Sequence, residues 1–142
     1  MKDTEIKNFF YRLQNEKKDD YDETPGQVLT KTYADILYDK GLIIDYELCY
    51  FEKEINGKKL KLNGFSLDEN TSKLDIFITH VNQENEVKSI GASELSKLAE
   101  QSLNFFTSST KDLSSKINKK EEIYDLTKKI SKLKNPIQNL RI

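Results

Sequence analysis

Asn63-Gly64-Phe65-Ser66-Leu67-Asp68-Glu69-Asn70-Thr71-Ser72-Lys73-Leu74-Asp75-Ile76-Phe77-Ile78-Thr79-His80-Val81 holds two short apolar runs on either side of a polar turn, and each run carries one aspartate. Asp68 closes the first run and Asp75 opens the second. Apolar runs of this length, rich in β-branched and aromatic residues and parted by Glu-Asn-Thr-Ser, read as neighbouring strands. Two carboxylates on neighbouring strands can hold a divalent cation such as Mg²⁺ through oxygen ligands, the minimum that metal-assisted phosphodiester chemistry requires. The plainer reading is a solvated hairpin with an acid on each side of its turn.

Upstream, Leu42 to Ile55 has the composition of a strand, and Asn56-Gly57 is a two-residue hairpin signal before Lys58 to Asp68. The third strand is expected over Lys73 to Val81. In the middle strand the apolar alternation changes from Leu60 and Leu62 to Phe65 and Leu67, a slip of one that a bulge at Asn63-Gly64 would absorb. Such a bulge re-aims the end that carries Asp68. Before the strands, Ile6, Phe9, Phe10 and Leu13 stand at helical spacing over residues 4–16, and Glu16 to Glu23 form a charged connection. Thr24-Pro25 then reads as a helix start, with Val28, Leu29, Tyr33, Ile36 and Leu37 on one face and Gly41 as the stop.

After the strands the period returns to 3.6. Leu95, Leu98, Ala99, Leu103 and Phe106 form an apolar stripe, with Glu94 near the positive end of the helix. A polar connection, Thr107 to Asp112, leads to a second helix. Asn118 with Glu121 resembles its capping box, and Ile123, Leu126, Ile130 and Leu133 are its buried stripe. Lys128, Lys129, Lys132 and Lys134 gather toward its C-terminal end, where solvated charges suit the helix dipole. Asn135-Pro136 breaks the helix, and Ile137, Leu140 and Ile142 look like the opening of a further strand. Residues 1–142 are therefore expected to form a single domain, the N-terminal part of a longer protein.

Composition limits the partners. Lys and Arg total 23 against 24 Asp and Glu, a net charge of −1, so no global field draws in nucleic acid or an anionic membrane. One cysteine, Cys49, excludes a disulfide framework and fits a reducing, cytoplasmic setting as a small core residue. No apolar run approaches the ~20 residues of a membrane span, and the N-terminus lacks a signal peptide's apolar core.

The order is helix, helix, three antiparallel strands, helix, helix and the start of a strand. This is an α+β (α/β) class: a three-stranded antiparallel meander plus a further C-terminal strand, flanked by helices. Apart from the leading helix and one inserted helix, it matches the restriction-endonuclease-like αβββαβ core. In such nucleases the middle strand supplies an Asp, the next strand a Glu or Asp, and a Lys follows two residues later. Asp68 and Asp75 fit the two acids as catalytic and metal-ligating residues, but Phe77 stands where the lysine belongs. Lys73, two residues before Asp75, would share its strand face and is the candidate substitute, and Asp35 on the helix before the strands is a candidate third acid.

Asp45-Tyr-Glu-Leu-Cys-Tyr-Phe-Glu, Asn63-Gly-Phe-Ser-Leu-Asp-Glu and Lys73-Leu-Asp-Ile-Phe-Ile together resemble the N-terminal domain of the abortive-infection phage-resistance family, from about Thr24 to the end. The resemblance implies a bacterial antiviral role, defence against phage by shutting down the infected cell. It implies no catalytic assignment. Three function classes follow. The first is a nuclease-like, catalytically silent module that positions a downstream domain or recognises a partner, favoured by the missing lysine and the near-zero net charge. The second is an active metal-dependent nuclease using Asp68 and Asp75. The third is a homo-oligomerisation scaffold. His80 reads as a surface or edge histidine. The aromatic residues, among them Phe9, Phe10, Tyr11, Tyr46, Phe105 and Phe106, read as core, while Tyr50 and Phe51 must face opposite sides of their strand.

Overall fold

Asn56 and Gly57 both take positive φ, 53° and 74°, the requirement of a two-residue hairpin whose twist matches its strands. They join β1 (Glu47–Ile55) to β2 (Lys58–Asp68), and a turn over residues 69–72 returns the chain as β3 (Lys73–Phe77). The computed structural model describes residues 4–5, 7–8, 11–12, 25–81, 88–133 and 137–142. Most of the leading helix expected over 4–16 and its charged connection, together with Thr24, Asn82, Lys134 and Asn135-Pro136, lie outside the described residues. β1, β2 and β3 pair antiparallel in that order, and β4 (Asn139–Arg141) adds to β3 in parallel. The architecture is mixed α+β, a four-stranded sheet flanked by helices, as the alternation of periods implies.

Helix α1 (Pro25–Asp39) stops where glycine can adopt the left-handed conformation. Gly41 has φ 68°, its N–H bonds Tyr38 O at 2.9 Å, and Leu42 N–H reaches back to Leu37 O at 2.9 Å. The segment after Gly41 is the helix exit, not strand. Leu42 and Ile44 are exposed and only Ile43 between them is buried, so β1 begins at Glu47 instead of Leu42.

The slip in β2 sits where the alternation places it, with the extra residue on the facing strand. Leu48 pairs Gly64 and Phe51 pairs Leu62, so Cys49 and Tyr50 together oppose Asn63. The irregularity lets Leu60, Leu62 and Phe65 join one core cluster with Cys49, Phe51, Leu74 and Ile76. Tyr50 and Phe51 face opposite sides as expected: Tyr50 is exposed, and Phe51 is buried edge-on to Phe105 with ring centres 5.9 Å apart. β3 is shorter than expected and ends at Phe77, because the next donors turn to side chains. Thr79 N–H bonds Asn63 Oδ1 at 2.8 Å, and the Thr79 hydroxyl lies 2.5 Å from that of Thr30 on α1.

Helix α2 (Ala92–Ser109) lies across β2. Its buried face is Leu98, Ser102, Phe105 and Ser109, rotated from the expected stripe, and Leu95 and Leu103 are exposed. Serines occupy the inner face because small polar side chains permit close approach to the sheet and satisfy their own hydroxyls. Ser102 Oγ donates to Lys61 O at 2.9 Å, and Ser109 Oγ to Phe105 O at 2.8 Å. A short helix α3 (Leu113–Lys116) follows, then α4 (Tyr124–Lys132), which buries Leu126, Thr127 and Ile130 against the core. Asn118 and Glu121 do bond reciprocally with the local backbone, but they close a turn before Ile123 and do not cap α4 itself. Leu140 of β4 and the preceding Ile137 pack on the same core.

Gly64 is the tightest point of the sheet. A Cβ there would stand 2.7 Å from Glu47 O and 3.3 Å from the Phe77 ring. Gly64→Ala is expected to destabilise the fold by about 1–3 kcal/mol through overpacking. Gly26→Ala, whose added methyl would meet nothing closer than 3.6 Å inside a helix, is expected to be neutral or to gain up to ~1 kcal/mol. Paired urea unfolding curves separate the two.

Candidate functional site

In the β2–β3 ladder Asp68 stands opposite Lys73 and Ser66 opposite Asp75. Because side chains alternate along a strand, Asp68, Lys73 and Asp75 share one face of the sheet. The two carboxylates nevertheless look to different partners. Asp68 closes the turn at its own end of β2: Oδ1 accepts the N–H groups of Asn70 at 3.0 Å and Thr71 at 3.3 Å, and Oδ2 accepts the Thr71 hydroxyl at 2.7 Å. The Thr71 hydroxyl, with these backbone donors, holds the exposed Asp68 carboxyl below the usual carboxylate range. The turn needs such a clamp, since Ser72 is held at φ 53°, a conformation that side chains other than glycine's adopt at a cost.

Asp75 is buried, with 6% of its surface exposed. Its counter-charge comes from β4, whose parallel register sets Arg141 beside it. The guanidinium binds both carboxylate oxygens, Nε to Oδ1 and Nη2 to Oδ2, the latter at 3.0 Å. Arg141 Nη2 also donates to Leu42 O at 3.1 Å, and Lys73 Nζ donates to the same carbonyl at 3.2 Å. Lys73 Nζ stands 3.9 Å from Asp75 Oδ2, a looser contact than the guanidinium makes. Two cations thus converge on one carboxylate and on one carbonyl at the exit of α1. Arg141 was not legible as a site residue, because nothing in a local pattern tells which strand a three-residue C-terminal segment will join.

Asp35 belongs to a separate cluster. Its Oδ2 accepts Lys31 Nζ at 2.8 Å and its Oδ1 the Tyr46 hydroxyl, and these two bonds, Lys31's first, lower its pKa. Phe77 is half-buried at the position expected for a nuclease lysine. His80 is exposed, its Nδ1 3.7 Å from Glu94 Oε1. Cys49 is buried, and burial, with Glu122 nearby, pushes its thiol up to about 12, so it stays protonated and unreactive.

As placed, these donors do not suit a divalent cation. Both oxygens of Asp75 face Arg141, both oxygens of Asp68 face the turn, and no group of three or more His, Cys, Asp or Glu among the described residues could hold a metal ion. No helix among the described residues is long and apolar enough to cross a membrane.

Residues 29–142 match the family of abortive infection phage resistance protein N-terminal domains. The chain belongs to that family, which associates it with abortive-infection phage resistance. No curated protein and no solved structure matches it.

Arg141→Ala removes the main counter-charge of a buried carboxylate. Because half of the Arg141 side chain is in solvent, the expected loss is about 1–3 kcal/mol, below that of a fully buried pair. Lys73→Ala is expected to cost under ~1 kcal/mol. Denaturant midpoints of the two variants check the order. Asp68 is depressed in the fold, so its contribution is present above the unfolded-state carboxylate pKa and fades as pH falls through the folded value. The stability gap between wild type and Asp68→Ala is therefore expected to be constant above about pH 5 and to close below it, measured by urea unfolding at several pH values.

Proposed function

We propose that this chain is a restriction-endonuclease-like but catalytically silent recognition and assembly module of a bacterial, cytoplasmic abortive-infection protein, working with a downstream domain of the same protein. The observation that carries the reading is the occupation of Asp75. Where a nuclease would keep its strand carboxylate open to a metal, here a guanidinium from β4 takes both oxygens, and the position for the activating lysine holds Phe77. A bound Arg offers no vacant coordination position, no polarised water and no Lewis acid, which are what the metal contributes to phosphodiester hydrolysis. The strand order, with three antiparallel strands and a fourth parallel to the third, supports the nuclease-like scaffold.

A second reading, self-association, draws on exposed apolar side chains of α1 and the segment after it. Tyr33 and Ile36, about one turn apart on α1, and Leu42 and Ile44 after it are all at least 40% exposed, apolar surface that a second copy would cover under this reading.

Cleavage of single- and double-stranded DNA and RNA is the test, with Mg²⁺ or Mn²⁺, using wild type, Asp68→Ala and Asp75→Ala, and with the mass of the wild-type preparation followed by sedimentation. The expected outcome is no metal-dependent cleavage above a protein-free control by a folded sample. Cleavage that both substitutions abolish would make the protein a nuclease using Asp68 and Asp75, with Lys73 in the lysine's place. Concentration-dependent dimer mass would favour the self-association reading.

A further inference from the structure

The face of the sheet opposite Asp75 carries a feature that the nuclease-like reading leaves unused. Phe65 and Leu67 alternate with Ser66, the ladder partner of Asp75, so they point to the other side. There, between the Glu47 end of β1 and helix α4, lies a cleft of about 610 Å³, within the range of sites that hold a ligand or a short peptide. Phe65, Leu67, Leu126 and Leu133 supply its apolar lining, and its charged residues, Asp45, Glu47, Asp125 and Lys129 among them, are exposed.

Charge along the α4 side of this cleft is sorted. Glu122 and Asp125 lie at the start of α4, with Glu47 across from them on β1, whereas Lys128, Lys129 and Lys132 follow on the later turns of the helix. The order along α4 suits the helix dipole, which accounts for the helix's own charges. It does not account for Asp45, Glu47 and Glu69, which the sheet side contributes to the same cleft. Among the described residues, none of these acids lies within 4.0 Å of one of these lysines, and Lys128 instead sits over the Tyr124 ring at 5.4 Å. Opposite charges lining one cleft, not bonded to each other and with the half-buried Leu67 and Leu133 among them, have the anatomy of an interface with a polar rim.

We propose that this cleft receives an extended segment of a partner polypeptide, with a basic side chain toward Glu47, Glu122 and Asp125, an acidic side chain toward Lys129 and Lys132, and an apolar side chain on the half-buried Leu67. Five carboxylates against three ammonium groups line the cleft, so a nucleic-acid backbone is repelled on balance, while a segment with its charges sorted meets complement at both ends. The inference deepens the recognition half of the proposed function and is independent of its nuclease-like half, since cleavage would be read from residues on the opposite face.

The test is fluorescence anisotropy of the full chain with a labelled synthetic peptide, Arg-Arg-Leu-Phe-Glu-Glu, against a peptide of the same composition with alternating charges. The block-charged peptide is expected to bind roughly tenfold tighter, and its affinity to fall as salt screens the rim. Lys129→Glu combined with Lys132→Glu, both exposed and so compatible with folding, is expected to weaken it by a similar factor. The same double variant is expected to gain affinity for an all-basic hexapeptide, a rescue that loss of structure would not produce. Equal binding of the two peptides, no binding at millimolar concentration, an unaffected charge-reversed variant, or displacement of the peptide by a single-stranded oligonucleotide would each overturn the proposal.

Discussion

A carboxylate buried in the middle of a five-residue strand is the constraint around which one side of this molecule is organised. Taking a charge out of water costs several kcal/mol unless an opposite charge and hydrogen bonds replace the lost hydration. Asp75 could be accommodated only if a cation reached it, and β4 provides Arg141 through its parallel register. Three residues of parallel pairing are little to hold a strand in place. The ion pair, the packing of Leu140 and Ile137 on the core, and the bonds from Gln138 and Asn139 N–H to Ser72 O together do so. The same guanidinium reaches the Leu42 carbonyl, so β3, β4 and the exit of α1 meet at one point. Removing Arg141 therefore disturbs three segments, whereas Lys73 duplicates only part of its work.

The second organising feature is that β2 is central. Leu60 and Leu62 in its first half, and Asn63, Gly64, Phe65 and Ser66 in its second, are all buried. A strand covered on both faces cannot show clean alternation. The slip at Asn63-Gly64 is the mark of that, and Gly64 stands where the backbone of β1 passes too close for any side chain. Asn63 then takes over part of the ladder's role by accepting the Thr79 N–H.

The features carried by local chemistry were legible in the sequence: the Asn56-Gly57 hairpin, the Gly41 stop, the level of the irregularity at Asn63 though not that β1 carries its extra residue, the buried Cys49, the order of strands and the C-terminal strand. Those set by tertiary contacts were not. The inner face of α2 could not be read from apolar spacing, because Ser102 and Ser109 lie inside for their small size while Leu95 and Leu103 lie outside. β3 is shorter than the strand propensity of Ile78 and Thr79 implies, because Thr79 bonds the side chains of Asn63 on β2 and Thr30 on α1. At the site, sequence proximity brought Asp68, Lys73 and Asp75 to one face correctly. What each carboxylate would bind depended on a turn geometry and on a residue 66 positions away from Asp75, and neither has a local signature.

This division bears on how a chain with almost no net charge would take part in the recognition proposed for it. With 23 basic and 24 acidic side chains, attraction at long range is weak, and selectivity must come from the local arrangement of charges at short range. On the Asp75 face the charges are mutually satisfied and serve to fix β4. On the opposite face acids and then lysines follow one another along α4, in a cleft whose sheet side is acidic. The exposed charges there are already solvated, so a partner gains from them by short-range complementarity and not by relief of a cost. That asymmetry between the two sides of a single sheet is the physical ground for seeking the partner at α4 and not at the aspartates.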